Sequence, residues 1–280
     1  MPKSTQPGTS SVIPFRPTSR QLDMPVILSV PKMQSAAIHE AVRENVPDLT
    51  GKRTAWCLIG RGRTGKTMFA RWLHEKVSQA GAAAIIAALD PANRSLRRFF
   101  DDVAEPPSTD TDETRDWLWA LLQAALTGGH NAIVDLGGGN TALTSLVGEY
   151  PRLADHLSEG GLEPVAAYTV GTDPEDLTVL EINEQLGFRP RATLIILNEI
   201  AGKRARFAEV QAHPTYRAAI DRGAVQLWMP PLWNADVINH HAWRFADVGK
   251  YADILTTGAV ENWLMRMDAE FAPVRSWFPA

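Results

Sequence analysis

The run Gly60-Arg61-Gly62-Arg63-Thr64-Gly65-Lys66-Thr67 places glycines, a lysine and a hydroxyl at the spacing G-x-x-x-x-G-K-[ST]. Those residue types at that spacing suit phosphate chemistry. Successive backbone N–H groups of a glycine-rich turn make a concavity for anions, and a following helix points its positive end into it. Lys66 is expected to reach β- and γ-phosphates, and the Thr67 hydroxyl to ligate Mg²⁺. A chance glycine turn before a helix has no packing use for Lys66 and Thr67. The flanks also agree: Thr54 to Ile59 is a short apolar strand pattern, and Met68 to Ser78 has helical periodicity.

Two carboxylates end apolar runs further on. Asp90 follows Ala87-Ala88-Leu89 and precedes Pro91-Ala92-Asn93-Arg94. The end of a parallel strand is where an open α/β sheet binds ligands, so Asp90 is expected to position a water on the γ-phosphate or join the Mg²⁺ shell. The alternative is a turn-forming Asp-Pro. Asp135 ends Asn131-Ala132-Ile133-Val134 and is expected to act on Mg²⁺ directly or through water. With Gly138 it makes D-x-x-G, where a backbone N–H can sense a γ-phosphate; the alternative is an ordinary strand end. Gly137 to Gly139 permit close approach.

Asn198 ends another apolar run and can offer donor and acceptor to a base edge. The segment Asn198-Glu199-Ile200-Ala201 lacks the N-K-x-D of guanine-specific proteins. ATP is therefore favoured over GTP, with Pro230 and Pro231 as an adenine wall or, alternatively, a proline-rich surface loop. The expected nucleotide contacts run from Gly60 through Met68 and add Gly138, Asn198, Pro230 and Pro231. The expected cofactors are ATP and Mg²⁺.

The elements that must position these groups alternate. Strand patterns fall at 54–59, 83–89, 131–136, 164–170, 191–197 and 224–229. Helical patterns fall at 66–79, 113–126, 141–157, 174–187, 203–210, 214–221 and 257–272. Alternation of this kind predicts an α/β fold, a mostly parallel sheet with helices on both faces. The chain is expected to divide into an N-terminal extension, 1–50, and a phosphate-loop domain, 51–280. Within the extension, 1–23 is rich in Ser, Thr, Pro and Gln and predicts no fixed structure; 24–30 reads as a strand and 33–45 as an amphipathic helix.

Composition narrows the class. With 280 residues, 45% hydrophobic and a net charge of -4, the chain can bury a large core and is not built to wrap nucleic acid wholesale. Cys57 stands alone, so it reads as a small buried hydrophobe in a reducing cytoplasm. No apolar run approaches the roughly 18 residues of a membrane span. The seven histidines show no metal-ligand spacing.

In this order, Thr54 to Pro231 resembles the ParA/MinD family of deviant-Walker ATPases (the SIMIBI class). Within it the chain looks most like small plasmid proteins of the conjugal-transfer TraL and plasmid-stability StbC type. The family's D-x-D-P-Q-x-N is matched by Ala88-Leu89-Asp90-Pro91-Ala92-Asn93, its second-switch Asp by Asp135, its base-binding Asn by Asn198. Its T-x-P-E stretch is matched by Thr172-Asp173-Pro174-Glu175. Three positions depart. Arg61 stands where the family's loop has a lysine that reaches across a dimer, Arg63 replaces a glycine, and Ala88 replaces the first switch Asp.

The resemblance implies a homodimer formed on ATP binding, with Arg61 completing the partner's site, and slow hydrolysis stimulated by another protein. Lys66, Asp90, Asp135 and Arg61 are the expected catalytic set; Thr67, Asp90 and Asp135 are the expected metal set. The dimer is expected to hold non-specific DNA, through Lys203, Arg204, Arg206, Arg217, Arg222, Arg244 and Lys250, or a stimulating or cargo protein. For that basic set the alternative is a solvated, charge-balanced surface. The role implied is plasmid partition, conjugal transfer or cargo positioning. The last helical pattern carries Glu261, Asp268 and Glu270 against Arg266, which suits core or dimer packing rather than anionic lipid. Two rivals stand beside this reading: a phosphate-loop kinase with an arginine-rich lid in 203–222, and a nucleotide-binding scaffold with negligible turnover.

Overall fold

The computed structural model describes residues 46–89, 96–139 and 141–279. The strand and helix expected at 24–30 and 33–45, the unstructured stretch 1–23, and the segment from Asp90 to Arg94 lie outside the described residues. Among the described residues six strands form one sheet: β1 (Arg53–Ile59), β2 (Ala84–Ala88), β3 (Asn131–Asp135), β4 (Leu162–Val170), β5 (Ala192–Asn198) and β6 (Val225–Met229). Their order is β2-β3-β1-β4-β5-β6, and every pairing is parallel.

The sheet is buried on both faces because alternate side chains of each strand feed different cores. Trp56 and Leu58 of β1 join Val165, Ala167, Leu194 and Ile196 on one face. Helix α1 (Lys66–Gln79) and the C-terminal segment cover that face, contributing Phe69, Trp72, Trp263, Met267 and Phe271. Ala55, Cys57 and Ile59 point the other way, to join Val134, Ala166, Tyr168 and Ile195. That second core is closed by α2 (Thr111–Gly128), α3 (Ala142–Glu149), α4 (Leu153–Glu159) and α5 (Thr178–Gln185). Burial pushes the Cys57 thiol up to about 12, in keeping with an inert apolar filler.

Local chemistry sets the helix ends. Asp110 caps α2 by accepting from Asp112 N and Glu113 N at 2.9 and 3.1 Å, and Gly129 closes it in a left-handed turn. The helix expected over 141–157 is two helices, because Pro151 in the Tyr150-Pro151-Arg152 turn lacks the N–H that continuation needs. The helices expected from 174 and 203 open as 3-10 turns, Pro174–Leu177 and Arg204–Phe207, before α5 and α6 (Ala208–Ala212). After α7 (Pro214–Asp221) and β6, the chain makes two short helices with no sequence signal, α8 (Ala235–His240) and α9 (Val248–Tyr251).

Helix α10 (Ile254–Glu270) starts three residues before the expected 257 because Asp253 accepts from Leu255 N and Thr256 N. Its apolar side is core: Val260, Trp263 and Met267 are buried. Among the described residues, no helix is long and apolar enough to cross a membrane.

Trp263 anchors this C-terminal cover. Its ring is buried 4.9 Å from the Phe245 ring, and Nε1 donates to Pro230 O at 2.8 Å. Trp263→Ala is expected to lower unfolding free energy by roughly 3–5 kcal/mol in urea titrations. Met265→Ala on the exposed side of the same helix should change it by less than about 0.5 kcal/mol.

Candidate functional site

The turn between β1 and α1 is crowded on every side. Gly60 takes φ 149°, and a Cβ there would lie 2.6 Å from both Thr169 O and Thr169 Oγ1. Gly65 takes φ 100°, and a Cβ there would lie 2.4 Å from Asn198 Nδ2 and 2.5 Å from Met229 Cε. Both positions require glycine for conformation and for space.

Side chains from the neighbouring strand ends hold the turn. The Thr64 hydroxyl donates to Arg61 O at 2.8 Å and pairs with the Thr169 hydroxyl at 2.7 Å. Asn198 Nδ2 donates to Thr64 O at 2.9 Å, and its Oδ1 accepts from Ile200 N at 3.1 Å. Asn198, expected to present donor and acceptor to a base edge, thus donates and accepts within its own chain and braces the loop. Lys66 is buried and Nζ donates to Gly60 O at 2.7 Å and Arg61 O at 2.8 Å.

The expected metal ligands meet. β3 lies beside β1, with Asp135 opposite Leu58, so the buried carboxylate faces the start of α1. Thr67 Oγ1 donates to Asp135 Oδ2 at 3.1 Å. A hydroxyl and one carboxylate, both hard oxygen donors, fit Mg²⁺, which takes one or two carboxylates and completes its shell with phosphate and water. The turn after β3 lies directly on the loop: a Cβ at Gly138 would stand 2.5 Å from Gly62 Cα and N. Between the two turns is a cavity of about 300 Å³ lined by Gly62, Arg63, Gly65, Lys66, Thr67, Met68, Asp135 and Gly138, with Ala88 in its wall. The Ala88 methyl offers no oxygen there. Asp90, expected to position the attacking water, lies outside the described residues.

Arg63 adopts φ 68°, the left-handed region that glycine occupies freely. Arg61 does not stand free: its Nη1 lies 3.1 Å from Glu175, 3.4 Å from Asp173 and 3.6 Å from Asp176 of the same chain. The two prolines part company. Pro230 is buried and its carbonyl holds Trp263, whereas Pro231 lines a separate hollow of about 450 Å³ with Ile200, Leu232 and Trp233.

Much of the expected basic surface is neutralised locally. Arg204 pairs with Glu199 and Glu270 at 2.8 and 2.6 Å, Arg222 with Glu184, and Lys250 with Asp247. Arg244 Nε donates to Phe99 O at 2.8 Å. Lys203, Arg206, Arg217 and Arg244 are the exposed members of that set without an ion pair among the described residues. Two site residues escaped the sequence reading. Thr169 carries no local motif, and Trp233, 77% exposed, sits in a stretch without periodicity.

A parallel sheet with this loop, Lys66, Thr67 and Asp135 around one cavity defines a phosphate-loop nucleotide-binding fold. No protein-family model matches the chain, and no curated protein matches it. Solved structures similar to it include the cell division protein FtsY of Thermotoga maritima, at 14% identity and TM-score 0.43, covering 70% of each chain. The signal recognition particle receptor FtsY of Elizabethkingia anophelis is similar at 11% identity and TM-score 0.44, covering 81% of this chain and 70% of that one. The MinC:MinD cell division complex of Aquifex aeolicus is similar at 11% identity and TM-score 0.46, covering 78% of this chain and 96% of that one. Likeness at this level assigns no activity.

Two substitutions test how the loop is held. Arg63→Gly relieves left-handed strain of about 1–2 kcal/mol, partly offset by the greater freedom of glycine in the unfolded chain. The expected result is a net gain of roughly 0.5–1 kcal/mol in thermal unfolding together with weaker triphosphate binding, since a cation leaves the cavity rim. Thr169→Val keeps the branched shape but removes the partner of Thr64. Urea unfolding is expected to show a loss of about 1–2 kcal/mol, and calorimetry a weaker triphosphate affinity.

Proposed function

We propose that this chain is an ATP-dependent dimerisation switch of the ParA/MinD type, cytoplasmic, serving plasmid partition, conjugal transfer or cargo positioning. The observation that carries the reading is the 3.1 Å approach of the Thr67 hydroxyl to the Asp135 carboxylate beside Lys66 in a cavity of triphosphate size. Lys66 exchanges the carbonyls of Gly60 and Arg61 for β- and γ-phosphate oxygens. Thr67 and Asp135 hold Mg²⁺, which when bound neutralises charge on those oxygens. Gly138 presents its backbone N–H to the γ-phosphate, so the turn that carries it responds to the presence of that group.

Adenine is favoured over guanine because Asn198-Glu199-Ile200-Ala201 has no Lys or Asp for a guanine edge. The hollow beside Pro231, Ile200 and Trp233 supplies apolar surface for a base. Hydrolysis is slow and raised by a partner: Ala88 leaves Asp90 as the only carboxylate of its motif, and Arg61 acts on the nucleotide of the second subunit. The kinase alternative is weakened by Arg204 and Arg222, lid candidates already bound to Glu199, Glu270 and Glu184. Lys203, Arg206 and Arg217 are the residues through which the dimer holds DNA phosphates, a contact that weakens with salt.

The test is solution mass by light scattering with Mg²⁺ and ATP, ADP or no nucleotide, in a variant carrying Asp90→Ala to slow turnover. A monomer that becomes a dimer only with ATP is the expected result. A mass indifferent to nucleotide overturns the switch and leaves the kinase or the scaffold.

A further inference from the structure

Arg61 is held by three carboxylates from one short segment after β4. Glu175 Oε2 lies 3.1 Å from its Nη1, Asp173 Oδ2 3.4 Å and Asp176 Oδ1 3.6 Å. Two of these acids are fixed by backbone. Asp176 Oδ2 accepts from Gly171 N at 2.7 Å, and Asp173 Oδ1 accepts from Glu175 N at 3.0 Å. The other end of the residue is fixed too, since Arg61 O accepts from Lys66 Nζ and Thr64 Oγ1. The guanidinium is thus engaged within its own chain, although the side chain is still nearly half exposed.

We infer that Asp173, Glu175 and Asp176 form a built-in latch that withholds Arg61 until nucleotide-driven association draws it off. The inference rests on the dimer-switch reading and names the regulation of that same site. Its strength suits a switch. Arg61, Asp173 and Glu175 are all substantially solvent-exposed, and exposed ion pairs are individually weak. Such a latch biases the arginine by roughly tenfold, which phosphate oxygens in a drier interface can outcompete. It would keep two nucleotide-free subunits from associating without blocking ATP-bound ones.

The test is a cycle of Asp173→Asn with Glu175→Gln, built on the natural chain and on Arg61→Ala. Asp176 stays, because it also holds Gly171 N. One measurement is the protein concentration giving half-maximal dimer at saturating Mg-ATP, by light scattering. The other is the affinity of the monomer for a fluorescent ATP analogue. With Arg61 present, the two neutralised acids are expected to lower the half-dimer concentration about three- to tenfold. In the Arg61→Ala background the same pair should change nothing. No shift with Arg61 present, or an equal shift without it, overturns the latch; the second outcome would reflect bulk charge alone. If the natural chain does not dimerise with ATP, the switch reading is what fails. The latch, which rests on it, then fails too; unchanged analogue affinity of the monomer in the neutralised variant shows that a shift in half-dimer concentration arises in association and not in nucleotide binding.

Discussion

No Cβ fits at Gly60, Gly65 or Gly138, and much of the molecule is arranged around that crowding. The phosphate loop is not a free ribbon between a strand and a helix. It is wedged among the ends of β3, β4, β5 and β6, whose side chains and backbone stand within contact of it. A loop held this way has its N–H groups aimed before any anion arrives, and preorganisation is what gives a backbone anion site its strength. The parallel sheet makes this possible, because parallel strands end on the same edge.

The C-terminal half of the chain serves the same helix that carries Lys66 and Thr67. Arg71 of α1 is buried between the rings of Phe99 and Phe245, at 3.5 and 4.4 Å, and donates to Asn239 Oδ1 and Trp243 O. One turn on, Glu75 accepts from Phe245 N and Ala246 N at 2.7 and 2.8 Å. Burial pulls the Arg71 guanidinium down to about 10 and pushes the Glu75 carboxyl up; the two N–H bonds and the Arg71 charge pull Glu75 back. These buried charged groups bind α1 to the segment around 96–100 and to the C-terminal cover.

Charge is arranged by local pairing. The chain is mildly acidic, yet the acids that matter sit against particular cations: Glu163 against Arg191, Glu199 and Glu270 against Arg204, the 173–176 segment against Arg61. A row of basic residues in the sequence is thus a poor measure of basic surface. Arg204 also lies over the Trp228 ring at 4.7 Å, which packs its stem as well as its charge.

Sequence alone determined the parts whose physics is local. The loop pattern, the order of strands and helices, and Asp135 at the end of an apolar run are set by spacing and periodicity over a few residues. That is why the expected strands lie within two residues of the observed ones, and why the α1 bounds agree. What needed the tertiary structure was every contact between distant segments. Thr169 meets Thr64 across 105 positions, and Arg61 meets Glu175 across 114. Neither has a neighbour in sequence that signals the meeting. The short helices after β6 were equally hidden, since no periodicity marks them; Asn239 of α8 meets Arg71 of α1 across 168 positions. Asn198 shows the division in one residue: its type marks a strand end with an amide, but only the fold shows that the amide braces the phosphate loop.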